Sequence, residues 1–513
     1  MRYLKPTLIL AIAASLSIIG SGPFTTGSAN AEWVETRFQT GCQPGPYDPP
    51  PPPEHLETHY PPLNSTPEDA SLQISLDSAS VDAPRPILGS GFNMEHALWS
   101  CPGFRRLFRS EILDPFTPAI ARVDSGLLPA APLDLPAGDL GPAVYESMLE
   151  SPQYADSWRF FHRLNTAGVK IVLGVWGGPA QFTDDGTRRG LLLPVHYDDY
   201  VEYVATVVDF LVHEQNINIW ATTIANEPDG GDGNQIPPYG LAYIAHQLAP
   251  RLAADGVKLY GPDTSDAINA LTYVPPLLDD PTIADNLAFV GFHQYYSSSD
   301  VGAVVDLVKS KRPDLPVIVT EYTSFSFGDL DAGQEANAQN GFTLDIASML
   351  LSHYRNGVDA AIYWDAVDYL QPGHDAITRW GLLRGPIDEF QRRERYYGLQ
   401  QILSYLQPGA RVLDETQNSS VALQTLAIRT ADGAPAVFLV NQAFDPIDLS
   451  LGLSGSNVSR FPSLVVTRTD RTHRAERLGR VSLQDGEGQL VLPPRSITTL
   501  WSEQSDAAGD QSE

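Results

Sequence analysis

Cysteine, positive charge and long apolar runs are all scarce in this chain. Two cysteines, Cys42 and Cys101, occur in 513 residues without clustered histidines, which disfavours a cysteine-ligated metal site. Lysine and arginine number 33 against 62 aspartates and glutamates, and this formal net charge of −29 makes nucleic acid a poor partner. The sequence also lacks a Gly-x-Ser-x-Gly elbow, a Walker loop and a His-Glu-x-x-His motif, so the chemistries that depend on them find little support.

The N-terminal segment has the composition of an export signal. Arg2 and Lys5 precede an apolar run at 8–19, and Ala29-Asn30-Ala31 is a small-x-small cleavage site. That run of about a dozen residues is shorter than the ~20 that a spanning helix needs. We therefore predict a signal peptide over 1–31 and a secreted protein, extracellular or periplasmic, rather than a membrane-anchored one.

Proline and acidic residues mark two segments outside the folded domains. Residues 49–53 are all proline, and 32–67 are predicted to form a Pro-rich linker. The acidic residues 503–513 are predicted to be a disordered tail. In an oxidising compartment Cys42 and Cys101 can form a disulfide, while a lipid site and a free thiol are the alternative.

Short apolar runs alternate with longer amphipathic ones between residues 84 and 404. Eight such runs, separated by helical patterns such as 200–214, predict an α/β domain built as a (β/α)8 TIM barrel. The rival is an open doubly wound sheet, which usually begins with a Gly-rich phosphate turn, but Gly89-Ser90-Gly91 lacks the third glycine. The predicted strands are 87–93, 118–123, 169–176, 219–225, 257–261, 289–293, 317–321 and 360–364.

The apolar period changes to two after about residue 405. Alternation such as Val437/Leu439 and Ile447/Leu449/Leu451, with Gly, Asn and Asp clusters between the segments, predicts an antiparallel β-sandwich over 405–502. Residues 68–83 alternate in the same way before the barrel begins, so they are predicted to contribute a strand to the sandwich.

Two glutamates follow predicted barrel strands directly. Glu227 comes after strand four, within Asn226-Glu227-Pro228, and Glu321 ends strand seven. A (β/α)8 barrel builds its site at the C-terminal ends of the strands, and cleavage of a glycosidic bond needs two carboxyl groups there. We predict that Glu227 is the acid/base, protonated near neutral pH, and that Glu321 is the ionised nucleophile.

Polar residues at the same strand ends are predicted to support these carboxylates. Asn226 is placed to bind the sugar 2-hydroxyl, and Tyr295 to donate a hydrogen bond to Glu321. His293 is a candidate support for the acid/base, with a satisfied core histidine as the alternative. Arg122, at the end of strand two, is predicted to lower the pKa of Glu321 by its charge, unless it pairs with Asp124 instead.

Two tryptophans and one asparagine complete the predicted site. Trp364, at the end of strand eight, is predicted to form the floor of the sugar site, and Trp176, at the end of strand three, to form a second platform. Core packing is the alternative for both rings. Asn93, at the end of strand one, is a candidate to contact a hydroxyl.

The combined motifs resemble clan A of the glycoside hydrolases, and family 30 most closely. The resemblance rests on Asn226-Glu227-Pro228, His293-x-Tyr295, Glu321 and Trp364, with Trp176-Gly-Gly-Pro-Ala-Gln-Phe182 similar to the family's strand-three pattern. Further similar segments are 395–398, 405–411 and 492–501, which look like the return from the barrel to the sandwich and its closing strand. The resemblance implies a retaining enzyme on a (β/α)8 barrel with a side β-sandwich.

The sequence thus predicts a secreted retaining β-glycoside hydrolase that acts on an oligo- or polysaccharide through a covalent glycosyl-enzyme, without a metal or cofactor. A cell-wall transglycosylase with the same site and a non-catalytic carbohydrate-binding protein are the alternatives. β-Glucan, xylan, β-galactan and a glucosylceramide-like glycolipid are all compatible substrates. Asp229 and Asp232, just after Glu227, form either a solvated acidic loop or a cation site.

Overall fold

Eight parallel strands form a closed barrel in the computed structural model, in the order β2 to β9. The structure describes residues 68–124, 140–149, 155–230, 232–295, 300–324, 336–368, 380–384, 390–418 and 422–503. The barrel strands are β2 (Gly89–Met94), β3 (Ile120–Asp124), β4 (Lys170–Gly174), β5 (Ile219–Thr222), β6 (Lys258–Thr264), β7 (Leu287–Gln294), β8 (Val317–Tyr322) and β9 (Ala360–Tyr363).

Parallel pairing of β2 with both β3 and β9 closes the barrel, and Gly89 is level with Ala360 in that register. At Gly91 an added Cβ would lie 2.0 Å from the carbonyl oxygen of Ile120, so close strand packing requires a glycine there. Side chains such as Val172, Phe289 and Ile318 are buried together inside the barrel. The (β/α)8 prediction is therefore confirmed, with every predicted strand present.

Helices cover the outside of the barrel and pack in one large apolar cluster with the outward faces of the strands. The described α-helices are α1 (Pro102–Phe108), α2 (Asp114–Phe116), α3 (Leu140–Leu149), α4 (Ala155–Thr166), α5 (Tyr197–Asp209), α6 (Pro238–Ala254), α7 (Ala267–Asp279), α8 (Pro281–Ala284), α9 (Asp300–Lys311), α10 (Ala336–Arg355) and α11 (Glu394–Leu403). Short π-helices follow α1 and α5 at Arg109–Leu113 and Phe210–Glu214, and a two-stranded ribbon pairs β10 (Leu383–Arg384) with β11 (Gln391–Arg392). Within the described ranges, no helix combines the length and apolar character needed to cross a membrane.

A second sheet of nine strands forms the β-rich domain, in the order β17-β16-β19-β14-β13-β12-β1-β15-β18. Its β1 strand pairs antiparallel with β12 and parallel with β15. The parallel pair departs from the predicted antiparallel arrangement, because β1 arrives from the far end of the chain rather than through a hairpin. The strands are β1 (Glu68–Ala79), β12 (Arg411–Asn418), β13 (Leu423–Arg429), β14 (Pro435–Asn441), β15 (Ile447–Ser454), β16 (Ser463–Thr469), β17 (Glu476–Ser482), β18 (Glu487–Leu492) and β19 (Ser496–Trp501).

Apolar residues from both ends of this sheet share one buried cluster, which includes Leu72, Leu451 and Leu464. Gln401 of α11 joins the β-rich domain to the barrel, since its Nε2 donates to the carbonyl oxygen of Ile497 at 3.1 Å. Cys101 is buried and disulfide-bonded, while Cys42 lies outside the described residues. The predicted signal peptide, linker and C-terminal tail likewise fall outside the described residues, apart from Glu503.

Candidate active site

Glu227 and Glu321 face each other at the C-terminal end of the barrel. Glu321 belongs to β8, whereas Glu227 comes five residues after the end of β5, which is shorter than predicted. One carboxylate oxygen of each residue lies within 4.8 Å of the other, and both side chains are buried. Retaining glycosidases hold their two carboxyl groups about 5–5.5 Å apart, whereas inverting enzymes separate them by about 6.5–9.5 Å to admit a water.

Arg122 of β3 holds the centre of the site together, and its guanidinium is fully buried. Nη1 donates to Oε1 of Glu321 at 2.5 Å and to Oδ1 of Asn93 at 2.9 Å. The remaining donors reach three further residues: Nη2 bonds Asn226 at 2.7 Å and Asp263 at 2.8 Å, and Nε bonds Tyr260 at 3.0 Å. The ion pairs with Glu321 and Asp263 give this buried guanidinium the partners that a buried charge requires.

Asp263 is a site residue that the sequence prediction missed. Its Oδ2 accepts from Arg122 and from the Tyr260 hydroxyl at 3.2 Å, and its Oδ1 accepts from the Thr320 hydroxyl at 2.7 Å. It lies near the end of β6, which extends three residues beyond the predicted strand. The rule that identified Glu227 and Glu321, a carboxylate at a strand end, would have found Asp263 had that strand been extended.

His293 of β7 lies between the two glutamates and is fully buried. Its Nδ1 is 2.9 Å from Oε1 of Glu227 and 3.4 Å from Oε2 of Glu321, and its Nε2 is 3.5 Å from Oδ1 of Asp263. Burial lowers the pKa of the imidazole, but the charges of Glu321 and Asp263 and the hydrogen bond to Glu227 outweigh it and raise the pKa to about 10. The imidazole is therefore a cation at neutral pH, contacting both glutamates.

The two asparagines of the predicted site bind Arg122 rather than facing only the cleft. Asn93 accepts from the guanidinium and donates to the carbonyl oxygen of Thr320 at 3.0 Å. Asn226 accepts from Arg122 and donates to the carbonyl oxygen of Asp232 at 2.8 Å. Both side chains are almost fully buried, and their hydrogen bonds in the structure are to protein groups. Their contacts with a sugar stay predictions.

The predicted aromatic residues also converge on the carboxylates. The hydroxyl of Tyr295 donates a hydrogen bond to Oε2 of Glu321. Trp176 and Trp364 are partly exposed and lie side by side, with ring centroids 5.9 Å apart. The Trp176 ring also covers Arg122, whose Cζ is 4.2 Å from the ring centroid, a cation–π arrangement. The two rings thus lie together next to Arg122, and Trp176 shields the guanidinium. Their function as sugar platforms stays a prediction.

The pKa order of the two glutamates is the reverse of the predicted one. Burial raises the pKa of Glu321, and the charges of His293 and Arg122 do not fully offset it. Burial also raises the pKa of Glu227, but His293 and the N–H of Asp232 outweigh burial and lower it. The physical reason is that Nδ1 of His293 is closer to Glu227 than to Glu321. The proton expected on Glu227 is therefore held by His293, at hydrogen-bond distance.

Glu227, His293 and Glu321 are close enough to share a metal ion. Arg122 and Tyr295 already donate to Glu321, however, and a protonated imidazole cannot act as a ligand. A cation would therefore have to displace these donors. Asp209, His213 and Asp255 form another trio of this kind on the helical side of the barrel.

Comparison with solved structures identifies glycoside hydrolases with the same fold. A family 30 endoxylanase from Clostridium papyrosolvens is 18% identical, with a TM-score of 0.64, and the match covers 84% of this chain and 99% of that one. The endo-β1,6-glucanase BT3312 is 16% identical with a TM-score of 0.61, covering 85% and 95%. The predicted resemblance to clan A and family 30 is therefore confirmed at the level of the fold.

Sequence comparison finds similarity to a curated protein, "Putative glucosylceramidase 4" from Caenorhabditis elegans. The two are 24% identical over 302 residues, which is 53% of this chain and 56% of that protein. The chain thus matches about half the length of this relative. No family model matches the sequence.

Proposed function

We propose that this chain is a retaining β-glycoside hydrolase that works by double displacement. The observation that carries the proposal is the pair of buried carboxylates, Glu227 and Glu321, whose oxygens lie within 4.8 Å at the mouth of the barrel. This spacing is closer to the separation of about 5–5.5 Å in retaining enzymes than to the ~6.5–9.5 Å of inverting ones, which supports direct attack by one carboxylate.

In the first step Glu321 attacks the anomeric carbon and Glu227 protonates the leaving oxygen. The bond from the anomeric carbon to the aglycone oxygen breaks as the bond to Glu321 forms. Arg122 and Tyr295 orient the attacking carboxylate through their hydrogen bonds. The proton that Glu227 transfers comes from the Glu227–His293 pair, in which Nδ1 of His293 lies 2.9 Å from Oε1 of Glu227.

In the second step water attacks the anomeric carbon of the glycosyl-enzyme. Glu227, now a base, takes one proton from that water, and the ester bond to Glu321 breaks. One water is consumed per bond cleaved, and the sugar leaves with its original anomeric configuration. Trp364 and Trp176 provide aromatic surface beside the carboxylates for the apolar face of the sugar.

The substrate class we propose is a β-linked oligo- or polysaccharide, with a glycolipid as a further member of the test panel. The similar structures include enzymes named as an endoxylanase and an endo-β1,6-glucanase, and the curated relative is named as a glucosylceramidase. The net charge of −29 favours neutral over polyanionic glycans. Secretion, through the signal peptide predicted at 1–31, fits a polymeric substrate outside the cell.

The test begins with a panel of aryl β-glycosides, xylan, β-glucans, β-galactan and glucosylceramide. We expect cleavage of at least one, with proton NMR of the fresh product showing the β-anomer first. A 2-deoxy-2-fluoro glycoside of the same sugar should inactivate the enzyme and add its mass to the peptide that contains Glu321. An α-anomer appearing first would contradict retention, and a label elsewhere would contradict the nucleophile.

Two other outcomes correspond to the alternatives predicted from the sequence. Saturable binding of a glycan without any product, together with no labelling by the fluoro sugar, would favour a carbohydrate-binding protein. Transfer of the sugar to an added glycan acceptor in preference to water would favour a transglycosylase, which uses the same covalent intermediate.

A further inference from the structure

The backbone of Glu227 adopts a left-handed conformation, with φ of 43°. Residues with a side chain rarely occupy this region, and such strain persists only where the surrounding structure enforces it. The peptide N–H of Glu227 donates to the carbonyl oxygen of Asp263 at 2.9 Å, and its carbonyl oxygen accepts from Gly230 at 3.1 Å. Contacts with β6 and with the following loop therefore fix the backbone from which the Glu227 carboxylate projects.

Within that loop, Asp232 contacts the carboxylate directly. Its peptide N–H donates to Oε2 of Glu227 at 2.5 Å, and its carbonyl oxygen accepts from Nδ2 of Asn226 at 2.8 Å. The other oxygen of Glu227, Oε1, faces His293. The Glu227 side chain is thus held between the imidazole of His293 and the backbone N–H of Asp232. The position of that N–H depends on where the loop places Asp232.

Asp229 ties this loop to the next β/α unit of the barrel. Its Oδ1 accepts from the backbone N–H of Ser265 at 2.9 Å. Its Oδ2 accepts from the Ser265 hydroxyl and from Nδ2 of Asn269, each at 2.6 Å. Ser265 follows β6, and Asn269 lies in the first turn of α7. Hydrogen bonds to a charged carboxylate are among the stronger ones, so these three fix the loop to a rigid element.

We propose that Asp229 is a positioning residue for the acid/base Glu227. By anchoring the loop to Ser265 and Asn269, it keeps the N–H of Asp232 against Oε2 of Glu227. This inference rests on the proposed function, because an acid/base must be oriented only if it transfers a proton. It also explains the Asp229 and Asp232 pair singled out in the sequence: Asp229 accepts three protein donors, and Asp232 pairs with Arg189 at 2.6 Å.

The experiment compares two leaving groups on the β-sugar that the wild type cleaves. Phenyl glycosides need protonation of the leaving oxygen, whereas 2,4-dinitrophenyl glycosides leave readily without it, and kcat/KM reports this first step when formation of the glycosyl-enzyme is irreversible. A general acid contributes about 10²–10⁴-fold. For Asp229→Ala we expect kcat/KM to fall about 10- to 100-fold on the phenyl glycoside and less than about 3-fold on the dinitrophenyl glycoside.

A second readout is the pH profile of kcat/KM on the phenyl glycoside. The N–H of Asp232 lowers the pKa of Glu227, so losing that bond raises the pKa. The basic limb of the profile, which reports the essential acid, should therefore move to higher pH in Asp229→Ala. Asp229→Asn, which keeps one acceptor oxygen, should show a smaller change in both readouts.

The matched control is Asp266→Ala. Asp266 caps α7, the helix that contains Asn269, since its Oδ1 accepts from the backbone N–H of Ile268 at 3.1 Å. Among the described residues of the Glu227 loop, none forms a hydrogen bond with Asp266. Asp266→Ala should leave the ratio of kcat/KM on the phenyl glycoside to kcat/KM on the dinitrophenyl glycoside unchanged. Asn269→Ala removes one donor to Asp229 and provides a second test if Asp229→Ala does not fold.

Equal losses on the two glycosides, no loss on either, or the same selectivity in Asp266→Ala would each overturn the positioning role. These results differ from failure of the proposed function, in which the wild type cleaves no glycoside of the panel; that result would remove the basis of both.

Discussion

Nδ1 of His293 lies 2.9 Å from Oε1 of Glu227, so a buried imidazolium bonds the acid/base proposed here. The same atom is 3.4 Å from Oε2 of Glu321. Two carboxylates at this separation repel each other, and the shared cation offsets that repulsion while holding a proton within reach of Glu227. The proton on His293 therefore influences the pKa of both glutamates, and the permanent charge of Arg122 acts on Glu321 as well.

Replacing either carboxylate should separate their functions. Glu321→Gln removes the nucleophile, and we expect turnover to fall on the order of 10⁴-fold or more on every glycoside. Glu227→Ala should lose about 10²–10⁴-fold on substrates that need protonation, and azide should restore activity on dinitrophenyl glycosides. Steady-state kinetics and product analysis measure both.

Glu394→Gln is a matched control for these carboxylates. Glu394 is half-buried at the start of α11, where partial burial raises its pKa to about 7, and it accepts a hydrogen bond from Asn340 at 2.6 Å. A neutral isostere there should leave kcat within about 2-fold of the wild type. Full activity of Glu321→Gln would refute the proposed nucleophile.

Tyr295→Phe should slow catalysis without removing the nucleophile. The Tyr295 hydroxyl donates to Glu321, and a hydrogen bond to a charged group contributes about 1.5–3 kcal/mol, so kcat/KM should fall about 10- to 100-fold. That bond lowers the pKa of Glu321, so the acidic limb of the profile should move to higher pH. Tyr322→Phe is the control, because its buried hydroxyl has no partner among the described residues. An unshifted limb in Tyr295→Phe would contradict this assignment.

Asp263→Asn should destabilise the fold as well as the site. It removes a fully buried carboxylate that pairs with Arg122 and leaves the guanidinium with less compensation. Breaking a buried ion pair costs about 3–5 kcal/mol, measurable as the free energy of unfolding in urea. Asp285→Asn breaks an exposed pair with Arg312 at 3.0 Å and should cost at most about 1 kcal/mol. Equal losses of unfolding free energy in Asp263→Asn and Asp285→Asn would show that burial does not decide how much each ion pair contributes to stability.

Stability should depend on pH through His293. Its pKa in the folded protein is about 10, above the ordinary value of 6.5. A raised pKa means that the folded state binds the proton more tightly. The stabilisation is therefore fully present below pH 6.5 and is lost as the pH rises toward 10. Unfolding free energies measured across this window should decline for the wild type and less for His293→Gln. The same decline in both proteins would rule out His293 as the cause.

Leu72→Ala should test the early strand of the β-rich domain. Leu72 of β1 is fully buried between β12 and β15, and truncation of such a leucine costs about 2–5 kcal/mol. Gln73→Ala, the next residue, faces outward and should change the unfolding free energy by about 0.5 kcal/mol or less. If Leu72→Ala and Gln73→Ala changed the unfolding free energy by the same amount, β1 would not be an integral strand of the domain.

Most residues of the candidate site can be predicted from one local rule, that site residues lie at the C-terminal ends of the barrel strands. The residues that this rule misses are missed for physical reasons. Strand ends could be found from apolar runs, and this placed Glu321, His293 and Arg122 correctly. Glu227 was identified from its place directly after the apolar run 219–225, although β5 itself ends earlier, at Thr222. Asp263 was missed because Gly261 and Pro262 resemble a strand terminator, yet β6 continues through them to Thr264.

The sequence by itself determined the two folding units and the residue types at the barrel mouth, because hydrophobic periodicity and strand-end position are local properties. The tertiary structure alone decided the partners of Arg122, the insertion of β1 beside β15 and the pKa order of Glu227 and Glu321. Each of these depends on distances between segments far apart in the chain and on burial that strengthens charge interactions, and neither can be read from neighbouring residues.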